Sequence, residues 1–166
     1  MEQVEKKSVT HFMAGLIIAA ILIVYSMFLT FMDLTANQSL SYLSMVFLMV
    51  GIIFFVNQYG KSVDHTATFG QLFSFGFKAT AIATLVVIAF QILFFFIFPE
   101  YKDKILDISR EQMLKHGNVP EAQVEQAVEM IRKFFWVGLI GTSLFFNLVS
   151  GAIASLIGAG ITKKIP

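Results

Sequence analysis

The chain contains no cysteine, which removes disulfides, thiolate metal sites and a cysteine nucleophile together. Charge is scarce as well: 14% of the 166 residues are charged against 57% hydrophobic, and the net charge is only +1. Soluble domains carry about 25% charged residues, so this balance points to a membrane. Without a basic patch there is nothing to hold DNA or RNA, and nucleic acid is not an expected partner.

What is present instead is long apolar runs. A helix crossing a bilayer needs about 20 mostly apolar residues, and four stretches qualify: 12–32, 40–56, 73–98 and 134–161. Lys6 and Lys7 precede the first run as in a signal peptide. Its length exceeds the ~7–15 residues of a signal's apolar region and no clear small-x-small cleavage site follows, so a retained span is expected. The whole chain, 1–166, reads as one all-α, polytopic membrane domain. A helical hairpin at about 100–133 is inserted between spans three and four.

The third apolar run contains Lys78, and a charge at bilayer depth costs roughly 2.5 kcal/mol or more. Counting back from Pro99, which stops the helix, residues 79–98 already span the core. Lys78 is therefore expected at the boundary, its ammonium reaching the headgroups, with Phe73, Phe75 and Phe77 in the interface before it. Tyr42, Tyr59, Tyr101 and Trp136 also fall near span ends, where an aromatic belt forms. Tyr25 lies well inside the first span, so its hydroxyl should find a partner on another helix.

Orientation follows from where the basic residues sit. After Lys6 and Lys7 no Lys or Arg occurs until Lys61, which places the amino terminus in the cytoplasm. Four spans return the carboxyl terminus, with Lys163 and Lys164, to the same side. Six basic residues between Lys102 and Lys133 oppose this, although acids from Glu100 to Glu129 are interleaved with them.

The hairpin is rich in helix formers. Gly117 suits the end of its first helix, with Lys115 and His116 in the last turn. Asn118, Pro120 and Glu121 suit the start of the second, with Glu121 at the capping-box position. Val124, Ala127, Val128 and Ile131 make one apolar stripe, and Glu129 can pair with Lys133 at i,i+4. The stripe is expected to pack on its partner helix through Ile105 and Ile108, with Leu106 or Met113 alongside. The alternative is a surface facing another protein or the outer leaflet.

In the fourth span Asn147, Gly151, Ser155 and Ala159 recur every four residues, beside Ser150, Ala154 and Gly158. Such rows let helices approach closely where lipid supplies no hydrophobic drive. Gly76, Thr80 and Thr84 repeat the pattern in span three. Packing of these two spans within one bundle is expected, a homodimer seam being the alternative.

Ion and proton paths place ionisable groups inside spans, and here the interiors offer only Gln91, Asn147 and hydroxyls. His11, His65 and His116 lie in separate segments, so neither a metal site nor any cofactor is expected. Asp64 and His65 are adjacent, yet no serine in a nucleophile motif accompanies them.

Two segments, "FGQLFSFGFKA" and "LDISREQMLKHGNVPEAQVEQAVEMIRKF", resemble an uncharacterised family of small bacterial inner-membrane proteins seen mainly in Bacteroidetes, a domain of unknown function. The resemblance covers nearly the whole chain and implies the same order of spans and insert. It implies an inner-membrane location and transfers no catalytic or binding residue. The function expected from the residues is a non-enzymatic accessory or interaction subunit, its partners the lipid bilayer and another membrane protein or a second copy. A small transporter, channel or lipid-translocating protein is the alternative, for which Asn147, Gln91, Thr80, Thr84 and Lys78 would line a water-filled cavity. A membrane enzyme ranks third, lacking converging acid–base groups.

Overall fold

The computed structural model describes residues 9–116 and 120–164. Among these there is no strand, and six helices follow in order: α1 (His11–Phe31), α2 (Gln38–Ser62), α3 (Phe69–Ile97), α4 (Glu100–His116), α5 (Glu121–Lys133) and α6 (Phe135–Lys164). Four of them, α1, α2, α3 and α6, are long and apolar enough to cross a membrane.

The helix ends have local causes. Thr10 caps α1, its hydroxyl accepting from the Met13 amide at 3.2 Å. Asn37 caps α2 through its side-chain oxygen, which accepts from the Ser39 and Leu40 amides. At the start of α3 the Gln71 amide donates to the Thr68 hydroxyl, and the Thr68 amide donates back to the Gln71 side chain at 2.8 Å. This reciprocal capping box begins α3 at Phe69, four residues before the expected 73.

The helix α2 differs more, continuing through Asn57–Ser62, where the expected span ended at Val56. Polarity at 57–62 does not break it, because a helix satisfies its own backbone whatever its side chains face. It stops at Asp64 and His65, both in the left-handed region with φ of 50° and 56°. The His65 amide donates to the Gly60 carbonyl and that of Asp64 to the Lys61 carbonyl, the Schellman pattern. The same pattern ends α1: Asp33 has φ 56°, with Leu34 donating to Leu29 and Asp33 to Thr30. Asp64 and His65, adjacent and chemically suggestive in the sequence, thus form a helix stop.

The chain forms two compact units. The first holds the residues up to Val87 and those from Leu144 onward, and its core includes Ile18, Leu48, Ile52, Val56, Leu72 and Phe75. Tyr25 donates its hydroxyl to the Leu40 carbonyl of α2 at 2.8 Å, the partner on another helix that its place inside the first span calls for.

The second unit, Ile88–Ser143, contains α4 and α5 packed on each other around Leu106, Val124 and Val128, with Met113 and Ile131 against them. Leu106 is fully buried, whereas Ile105 and Ile108 are only half-buried. The seam of α4 therefore runs through Leu106 and Met113, at i and i+7, and not chiefly through the two isoleucines. α5 begins at Glu121 after Pro120, with no side-chain cap; the expected caps at Gly117 and Asn118 lie outside the described residues. In place of the Glu129–Lys133 pair, the Lys133 ammonium lies over the Phe134 ring at 5.7 Å.

Candidate functional site

Within the first unit, small residues decide how closely the helices approach. A Cβ on Gly76 would fall against Ser155 and Val56, and one on Gly151 against the Thr80 side chain. α3 and α6 thus meet with residue 76 opposite 155 and 80 opposite 151, an antiparallel register. Gly158 faces Val56 and Ile53 of α2, Gly15 lies against the Ala79 carbonyl of α3, and Gly60 of α2 meets Thr162.

This seam is closed. Thr80, Thr84, Ser150, Ala154, Ser155 and Ala159 are all buried. Thr80 donates to the Gly76 carbonyl and Ser155 to the Gly151 carbonyl, each four residues back in its own helix. Thr84 Oγ1 is buried with no hydrogen-bond partner, and Asn147 is half-buried. In the second unit Gln91 accepts a hydrogen bond from Ser143 at 3.1 Å.

A polar feature of the first unit lies elsewhere, where α1 and α3 begin and α2 ends. There an open cleft of about 540 Å³ is lined by His11, Tyr59, Gln71, Ser74, Phe75 and Lys78, among others. Gln71, Ser74 and Lys78 stand at i, i+3 and i+7 and share one face of α3. Phe75 is buried within the unit and organises the cleft. Tyr59 stacks on it, ring centroids 4.4 Å apart and planes 6° apart, while His11 meets it edge-on at 6.4 Å. Lys78 is exposed and level with the first turns of α1, since its neighbour Ala79 is the residue against Gly15.

The remaining aromatic residues at span ends have distinct settings. Tyr42 is exposed near the start of α2. In the second unit Tyr101 joins Phe94 and Phe98, and Trp136 packs edge-on against Phe95 and Phe135. Val124 and Val128 of the hairpin stripe are buried against Leu106, and Ala127 and Ile131 are half-buried, so the stripe is largely consumed by the hairpin. Its basic residues are engaged locally. Arg110 bridges Glu121 and Glu125, Lys115 pairs with Glu111, Arg132 lies 3.7 Å from Asp103, and Lys102 and Lys104 sit over the Phe135 and Tyr101 rings.

Sequence reasoning missed the cleft because its walls come from three segments, around residues 9–11, 59 and 68–78, that nothing in the sequence ties together. The signal available was the i, i+3, i+7 spacing of Gln71, Ser74 and Lys78.

The four long apolar helices are consistent with a multi-pass helical membrane protein. The chain belongs to the family described as protein of unknown function (DUF4199), whose model matches residues 14–164. No curated protein and no solved structure matches it.

Proposed function

We propose that the protein is a bacterial inner-membrane subunit without catalysis of its own, which acts by engaging another membrane protein. In this reading both termini are cytoplasmic, as Lys6 and Lys7 before the first span indicate, and crossing three spans brings the α4–α5 hairpin to the extracytoplasmic side. The basic residues of the hairpin, which weigh against that orientation, are each held by an acid or an aromatic ring.

The observation that carries the non-transporting role is the closed α3–α6 seam. A conducting path needs polar groups facing water, yet Thr80 and Ser155 spend their hydroxyls on their own helices in full burial.

The test is purification of the tagged full chain in mild detergent, with mass determination and identification of co-purifying protein. A reproducible stoichiometric partner is expected. A lone monomer or homodimer that supports solute or lipid flux after reconstitution would overturn the reading in favour of transport.

A further inference from the structure

We infer that the cleft at the start of α1 and α3 is a binding site for a phosphate-class anion, of the kind carried by an anionic lipid headgroup or by a soluble phosphate compound. The inference goes beyond the accessory role and requires no assignment of orientation.

The polar part of the cleft's lining is rich in hydrogen-bond donors. Lys78 is exposed and, among the described residues, forms no ion pair. No acid occurs among the described residues lining the cleft. On the same face of α3, Ser74 offers its hydroxyl, and the side-chain NH₂ of Gln71 is available because its oxygen already accepts from the Thr68 amide. Tyr59 presents a hydroxyl and His11 an imidazole, both set by contact with the Phe75 ring.

The backbone adds positive potential. Both α1 and α3 begin at this cleft, and each helix start contributes roughly half a positive charge. With Thr68 capping α3 through the Gln71 amide, the amides of Phe69 and Gly70 retain no acceptor inside the helix. Space is present too, since a Cβ on Gly70 would meet nothing within 4 Å. Cation, hydroxyls and free amides around one volume match the three-oxygen acceptor surface of a phosphoryl group. The exposed Phe12, Met13, Phe69 and Phe77 mark the apolar surface beginning at this level, against which acyl chains would lie.

Gly70 provides the sharpest probe. Gly70→Asp adds a carboxylate in open space and in the first turn of a helix, where an acid is favourable, so it opposes an anion without harming the fold. Native mass spectrometry of the detergent-purified full chain would measure retained phosphatidylglycerol against phosphatidylcholine. The wild type is expected to prefer the former, and Gly70→Asp and Lys78→Gln to weaken that binding on the order of tenfold, as for loss of a charge-assisted hydrogen bond. Lys78→Arg should preserve it, and Lys61→Gln, which removes the same charge outside the cleft, should change it less than about twofold, as expected of a screened surface charge. Displacement of the lipid by inorganic phosphate at constant ionic strength would support the site with a soluble source; resistance to displacement would support it with the headgroup as source. Equal effects of Lys61→Gln, Lys78→Gln and Gly70→Asp, or equal retention of the two lipids, would overturn it.

Discussion

At the residue scale the protein is governed by side chains that are missing. Gly151 and Gly76 admit Thr80 and Ser155 to positions that a methyl group would occupy, and such close approach is what holds helices together in lipid. Gly151→Ala should therefore destabilise the protein by about 1–3 kcal/mol through overpacking. Gly141→Ala, where nothing lies within 4 Å, should stabilise it by about 0.5–1 kcal/mol through helix propensity. Thermal unfolding in detergent distinguishes the two, and stabilisation by both substitutions would show that glycine acts here through the backbone alone. The four-residue spacing of Gly151 and Ser155 was legible in the sequence, and so was that of Gly76 and Thr80. That the two rows pack on each other was expected as well; which residue meets which was not, because a small-residue row announces a close approach without fixing its register.

At the scale of elements, stop signals matter as much as hydropathy. Asp64 ends α2 in a conformation that costs an L-residue roughly 1–2 kcal/mol, less for Asp than for most. Asp64→Gly should accordingly raise stability by about 0.5 kcal/mol, after allowing for glycine's greater freedom when unfolded. A lowered melting temperature would contradict this and give the carboxylate a stabilising contact instead. Sequence reading ended this span at Val56 because polarity marks where a helix leaves lipid, not where it stops. The start of α3 was present in the sequence as Thr68-x-x-Gln71, but the apolar run beyond Phe73 dominated it. In the hairpin, apolar residues at 105, 106, 108 and 113 are spread around α4, so only the packed pair selects Leu106. Leu106→Ala should cost α4–α5 about 2 kcal/mol or more, seen as faster proteolysis or amide exchange confined to that hairpin. Equal loosening of α1 and α2 would contradict a hairpin core of its own.

At the scale of the whole molecule, composition alone carried the membrane assignment, since four runs of apolar residues leave few alternatives to four spanning helices. The functional features are the ones composition does not reach. Thr80 and Thr84, candidates for lining a path, lie in a closed seam, while Lys78 lines a cleft with Tyr59 and His11 that arises from chain segments far apart in sequence. The proposed role depends most on which surface faces which compartment. Because the chain has no cysteine, single cysteines report this without background. The decisive measurement is labelling of Lys115→Cys in the hairpin and Lys61→Cys at the end of α2 with a membrane-impermeant maleimide, in intact and in permeabilised cells. The proposed topology predicts that Lys115→Cys reacts in intact cells and Lys61→Cys only after permeabilisation. The reverse pattern, or equal behaviour at the two positions, would contradict it.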